Sequence, residues 1–155
     1  MSPMSRLTAD TNLFIHAADP DSPHHTRARQ FMQSAAIKDG KKDPEFVLCE
    51  LVLVELYMQL RNPAIFVKPY SAKESAAHCQ TLRLNPAWRC VDYDAAVSQK
   101  LWQWAAGTKA GFRRIIDARL GLTLRYHGVT EFATANVKDF SEFGFSRVWN
   151  PLLEG

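Results

Sequence analysis

Leu7-Thr8-Ala9-Asp10-Thr11-Asn12-Leu13-Phe14-Ile15 is the stretch on which the reading of this chain turns. A short apolar run leads into Asp10, and a second one follows Asn12. An acid at the end of a buried strand is costly to desolvate unless something pairs with it. Three later carboxylates, Glu55, Asp117 and Asp139, also stand beside apolar, periodic segments rather than in charge runs. Four separated acids that could meet at one edge of a sheet suggest a divalent-metal site, and with it phosphoryl-transfer chemistry.

The rest of the chain alternates short strands with helices. Residues 6–15 read as a buried strand followed by a turn, and the prolines of 19–23 mark a loop. A helix is expected over 24–36, with Ala28, Phe31, Met32 and Ala35 on one stripe, then a polar loop over 38–44. Residues 45–48 read as a strand and 49–60 as a helix that Asn62-Pro63 stops. Ser71 and Glu74 form a capping box that opens a helix to about Leu84. A strand at 88–91 precedes a helix capped by Asp94 and running to about Ala106, with Val97, Leu101 and Trp104 on its apolar face. After a loop at 107–111, a helix over 115–126 stops at His127-Gly128. Strands at 131–134 and 147–149 complete the set. This order argues for an α/β fold with a mainly parallel sheet. Such sheets bind ligands beyond the carboxyl ends of their strands, where Asp10 and Asn136 would lie. Glu55 and Asp117 would reach that crevice from helices.

Composition sets the bounds. The chain has 155 residues, 46% hydrophobic and 23% charged, which fits one domain spanning 1–155 with a sizeable core. No apolar run approaches membrane-spanning length, and MSPMSRLTAD lacks a signal-peptide h-region, so the cytoplasm is the expected compartment and no membrane partner is expected. Cys49, Cys79 and Cys90 are widely spaced and form no CxxC pair, which argues against a zinc knuckle or a thioredoxin-type site. A net charge of +3 permits a polyanion partner without demanding one. Lys38, Lys41 and Lys42 read as a solvated loop, whereas Lys109, Arg113 and Arg114 are of more interest because they lie just ahead of Asp117.

Magnesium and manganese prefer oxygen ligands, and magnesium takes only one or two carboxylates directly. No catalytic triad and no glycine-rich phosphate loop is visible, which agrees with a metal mechanism. A haloacid-type phosphatase would need a second Asp two residues after the first, and Asn12 occupies that place. Each acid also has a structural reading. Asp10 could cap a turn, Glu55 could pair with Arg61 or Lys68, Asp117 could be an early-helix acid, and Asp139 could cap a turn before Phe140. Glu50 is a rival to Glu55 on a different helix face. Thr11, Asn12 and Thr134 could orient water or phosphate, or simply close turns. Trp102 and Trp104 read as packing residues, and His24 and His25 as the opening of a helix.

In five places, taken in order, the chain resembles the PIN-domain family and within it the VapC-type toxin ribonucleases. The 7–15 stretch matches the first strand and first acid of that family, and His24-His25-Thr26-Arg27-Ala28-Arg29-Gln30-Phe31 resembles a helix of one VapC subgroup. Glu55-Leu56-Tyr57-Met58-Gln59-Leu60-Arg61-Asn62-Pro63 and Ile116-Asp117-Ala118-Arg119-Leu120 resemble the helices of the second and third acids. Thr134-Ala135-Asn136-Val137-Lys138-Asp139-Phe140 resembles the closing element. The resemblance implies a three-layer α/β/α sandwich and a magnesium- or manganese-dependent endoribonuclease. It also implies a homodimer and a small antitoxin partner. It makes Asp10, Asp117 and Glu55 the metal ligands, and under it Lys109, Arg113 and Arg114 could meet the RNA backbone. The fourth position is left between Asp139 and Asn136, because some members carry an Asp where this chain has Asn136. Arg119 and Leu120 stand where small or aliphatic residues are common. A PIN-fold binding module without cleavage, or a housekeeping PIN nuclease, stays open as an alternative.

Overall fold

The computed structural model describes residues 5–35 and 44–153. Its centre is a five-stranded sheet, all parallel, built from β1 (Arg6–Ala9), β2 (Glu45–Cys49), β3 (Arg89–Val91), β4 (Glu131–Ala133) and β5 (Arg147–Trp149). The spatial order is β3-β2-β1-β4-β5. The chain thus builds outward from β1 in one direction, then returns to add β4 and β5 on its other side. That reversal beside β1 is the kind of switch point where open α/β sheets hold ligands. Asp10 follows β1 directly, and Thr134 follows β4.

Six helices flank the sheet in two contacting sets, making the outer layers of a three-layer α/β/α sandwich. α1 (Thr11–Ala18) packs on both α2 (His25–Ala35) and α3 (Glu50–Leu60), α4 (Ala72–Arg83) packs on α3, and α5 (Ala95–Gly107) packs on α6 (Arg114–Tyr126). A short 3₁₀ helix, Val137–Phe140, leans on α6. Parallel strands covered on both faces need continuous apolar runs. Phe46, Val47, Leu48 and Cys49 of β2 supply one and are all buried. Phe132 of β4 stacks on Phe140 with ring centroids 4.4 Å apart, which pins the 3₁₀ helix to the sheet.

Local signals set most boundaries. The Ser71–Glu74 capping box and the Asp94 cap form as their sequence implies. Gly128, at φ +80°, ends α6 in the left-handed region. One expectation fails. Residues 11–15 do not continue the first strand into a turn; they open α1. Asp10 accepts a hydrogen bond from the Thr11 backbone N–H at 2.8 Å, and the helix buries Leu13 and Phe14. An apolar run this short fits a buried strand or a buried helix equally, and the cap decides between them. The polar loop expected at 38–44, with Lys38, Lys41 and Lys42, lies outside the described residues apart from Pro44.

Candidate metal centre

Asp10 is held more firmly than a capping role requires. It is 7% exposed, and Thr134, fully buried at the end of β4, donates its hydroxyl to Asp10 Oδ2 at 2.9 Å. Asn12 Nδ2 stands 3.4 Å from the same oxygen. Asn12 Oδ1 accepts from the Ala135 N–H at 3.2 Å, and Thr134 Oγ1 accepts from the Asn136 N–H at 2.9 Å. The start of α1 and the segment after β4 are thus laced together around one carboxylate. Burial pushes the Asp10 carboxyl up from its ordinary value, the Thr11 and Thr134 hydrogen bonds oppose this, and the charges of Asp117 and Asp139 add to it. Thr11 Oγ1 is buried and has no hydrogen-bond partner among the described residues.

Glu55 reaches the same place from α3. Burial, then the charges of Asp10 and Asp117, push its carboxyl up to about 7. Asp117, in the first turn of α6, is raised by burial and by Asp139 and lowered by Arg114. The fold therefore brings Asp10, Glu55, Asp117 and Asp139 into one electrostatically coupled group. Glu50 is elsewhere: it pairs with Arg83 of α4 at 2.6 Å. Neither Arg61 nor Lys68 takes Glu55; the Arg61 guanidinium hydrogen-bonds the Tyr57 hydroxyl. Asn136 is exposed beside a surface cleft that Lys138, Asp139 and Asn150 also line.

The donor set suits a hard divalent cation. It is all carboxylate oxygen, with no His or Cys, and a cation would relieve the repulsion that raises three of its members. Among the described residues no three of these side chains stand close enough to ligate one ion together. An ion that takes one or two carboxylates and keeps its waters asks for no more.

The basic residues divide. Lys109 and Arg113 are exposed, but Arg114, expected to face RNA with them, is turned into the acids and pairs with Asp117 at 3.1 Å. Sequence reasoning missed Phe112, which is 87% exposed with the Arg113 guanidinium 5.5 Å from its ring centre. An aromatic set beside basic residues just ahead of an acid-bearing helix was the available signal. Arg119 stays clear of the acids, lying over the Tyr93 ring at 4.1 Å, and Leu120 is core. Trp104 hydrogen-bonds Glu142, whereas Trp102 is largely exposed. His16, His24 and His25 form a local cluster, with the His25 ring against the His16 carbonyl at 3.0 Å.

The acids at a switch point of a parallel sheet are the arrangement of one class of protein. The PIN domain family matches residues 8–146, and the chain belongs to that family. Within it the chain is 45% identical over 146 residues to Ribonuclease VapC24 of Mycobacterium tuberculosis, covering 94% of this chain and 97% of that protein. Solved structures share the fold at lower identity. The M. tuberculosis toxin VapC20, described as cleaving the sarcin-ricin loop, superposes with a TM-score of 0.66 at 19% identity, over 90% of this chain and 95% of that one. The DNA-bound VapBC of Salmonella typhimurium gives a TM-score of 0.61 at 17% identity, over 96% and 99%.

Proposed function

We propose that this protein is a magnesium- or manganese-dependent endoribonuclease and the toxin of a toxin–antitoxin pair. The observation that carries the chemistry is the set Asp10, Glu55, Asp117 and Asp139 gathered at the carboxyl end of the sheet, with Glu55 raised to about 7 first by burial and then by the charges of Asp10 and Asp117. The extensive identity to a ribonuclease supports RNA as the substrate. Asp10, Glu55 and Asp117 are assigned to the metal centre, one or two of them binding the ion directly and the others, with Asp139 as the fourth acid, holding it through its waters. When bound, the ion supplies a Lewis acid for hydrolysis of an RNA phosphodiester.

The chain's own residues do the positioning. Thr134 and the Thr11 N–H fix both oxygens of Asp10, so that its carboxylate cannot rotate away. The Asn12 side-chain oxygen keeps the β4 exit against the start of α1 by accepting from the Ala135 N–H, and the Asn136 N–H holds the Thr134 hydroxyl in place. Lys109 and Arg113 take RNA phosphates, and Phe112 offers a face on which an unpaired base can stack. A small antitoxin protein and a second copy of this chain are the expected partners, in the cytoplasm. No helix among the described residues is long and apolar enough to cross a membrane.

The test is cleavage of total cellular RNA by purified protein with magnesium, manganese or EDTA, beside Asp10→Asn. Asparagine is an equally good helix cap, so the fold should survive. Discrete metal-dependent fragments that vanish in the mutant are expected. Wild-type cleavage by Asp10→Asn would sink the metal assignment.

A further inference from the structure

Arg114 opens α6, and its side chain is 23% exposed. Nε donates to Asp117 Oδ2 at 3.1 Å, and Nη2 donates to the Asp139 backbone carbonyl at 2.6 Å. Nη1 lies 3.8 Å from Asp139 Oδ1, and Nη2 lies 4.0 Å from Glu142 Oε2. One planar fork thus spans three carboxylates and a carbonyl. Two of those carboxylates belong to the set assigned above to the metal centre. The contacts are also of two kinds. The bond to the Asp139 carbonyl ties α6 to the 3₁₀ helix Val137–Phe140 whatever the charge of the site. The bond to Asp117 Oδ2 occupies an oxygen that an entering cation would take.

We propose that Arg114 is a built-in counter-charge that competes with the divalent ion for Asp117. Without metal it neutralises the crowded acids. As the ion enters, the guanidinium releases Asp117 Oδ2 and keeps its hold on the Asp139 carbonyl. Arg114 is therefore a positioning residue that sets metal affinity, not a catalytic one. The proposal rests on the metal-dependent reading above. A unit positive charge about 7 Å from a divalent ion weakens its binding by roughly tenfold, even at a dielectric close to that of water. By linkage, the ion weakens the Arg114–Asp117 contact by the same factor.

The experiment is calorimetric titration of manganese into wild type, Arg114→Gln and Arg114→Lys at one pH. Arg114→Gln should bind about tenfold more tightly, while Arg114→Lys, which keeps the charge, should stay near wild type. Equal or weaker binding by folded Arg114→Gln, with wild type still binding, overturns the competition and leaves the metal reading standing. No binding by any of the three overturns both. A wild-type measurement covers the case in which the variants fail to fold. The Arg114 Nε–H resonance should shift and exchange faster with water as magnesium saturates the protein. An unchanged resonance at saturation would overturn the proposal.

Discussion

Replacing Glu55 with glutamine removes one of the like charges crowded at the end of the sheet and keeps the side chain's size. In the metal-free protein the Glu55 carboxyl is pushed from 4.5 to about 7, first by burial and then by Asp10 and Asp117. A carboxyl whose folded value exceeds its unfolded value holds its proton more tightly in the folded state. Stability is therefore lost as pH rises from about 4.5 to about 7, and stays lost above. At face value the shift corresponds to about 3 kcal/mol. Glu55 is partly open to water, and screening reduces the figure to about 1–2 kcal/mol. For a chain of this size that is about 3–6 °C in melting temperature. The assay is thermal unfolding of wild type and Glu55→Gln in EDTA, from pH 4.5 to 8. The variant should match wild type near pH 4.5, gain steadily to pH 7 and hold a constant lead above. Asp10 and Asp117 are raised too, so wild type alone is not a clean readout; the difference between the curves is. A flat difference, or a variant less stable at pH 8, would refute the electrostatic account of the site.

Thr134→Val keeps the shape of a fully buried residue but removes the hydroxyl that serves both Asp10 Oδ2 and the Asn136 N–H. A loss of about 2 kcal/mol in urea unfolding is expected; an unchanged midpoint would count against the lacing of α1 to β4. Phe112→Ala should weaken binding of single-stranded RNA by roughly 5- to 100-fold, and Phe112→Trp should retain it. The reading fails if fluorescence anisotropy shows equal affinity for wild type and Phe112→Ala, or if light scattering shows that Phe112→Ala changes the oligomeric state.

Much of this was legible from local pattern. The apolar run into Asp10, the capping box at Ser71 and the alternation of strands with helices carry the α/β architecture. The boundary at Thr11 was not legible, because Leu13-Phe14-Ile15 suits either kind of element until a cap selects one. The choice of Glu55 over Glu50 follows from Arg83, which lies 33 residues beyond Glu50 and takes it as a partner. Arg114 looked like a companion of Lys109 and Arg113 because sequence shows charge but not direction. Its turn toward the acids depends on a carbonyl 25 residues away. The exposure of Phe112 is likewise a property of the packed chain, not of its neighbours in sequence.

The hydrogen bond from Thr134 to Asp10 joins residues 124 positions apart. β1 is made first, yet its neighbour β4 arrives after three of the five strands and all six of the described α-helices. During synthesis, Asp10 therefore waits without its partner, and Asp117 and Asp139 do not yet exist. A growing chain cannot assemble the acidic centre until the segment that carries Asp139 has left the ribosome. For a protein that cuts RNA, the order of the strands works as a timer: the messenger being read, and the machine reading it, face an incomplete blade until the last of the four acids has been made.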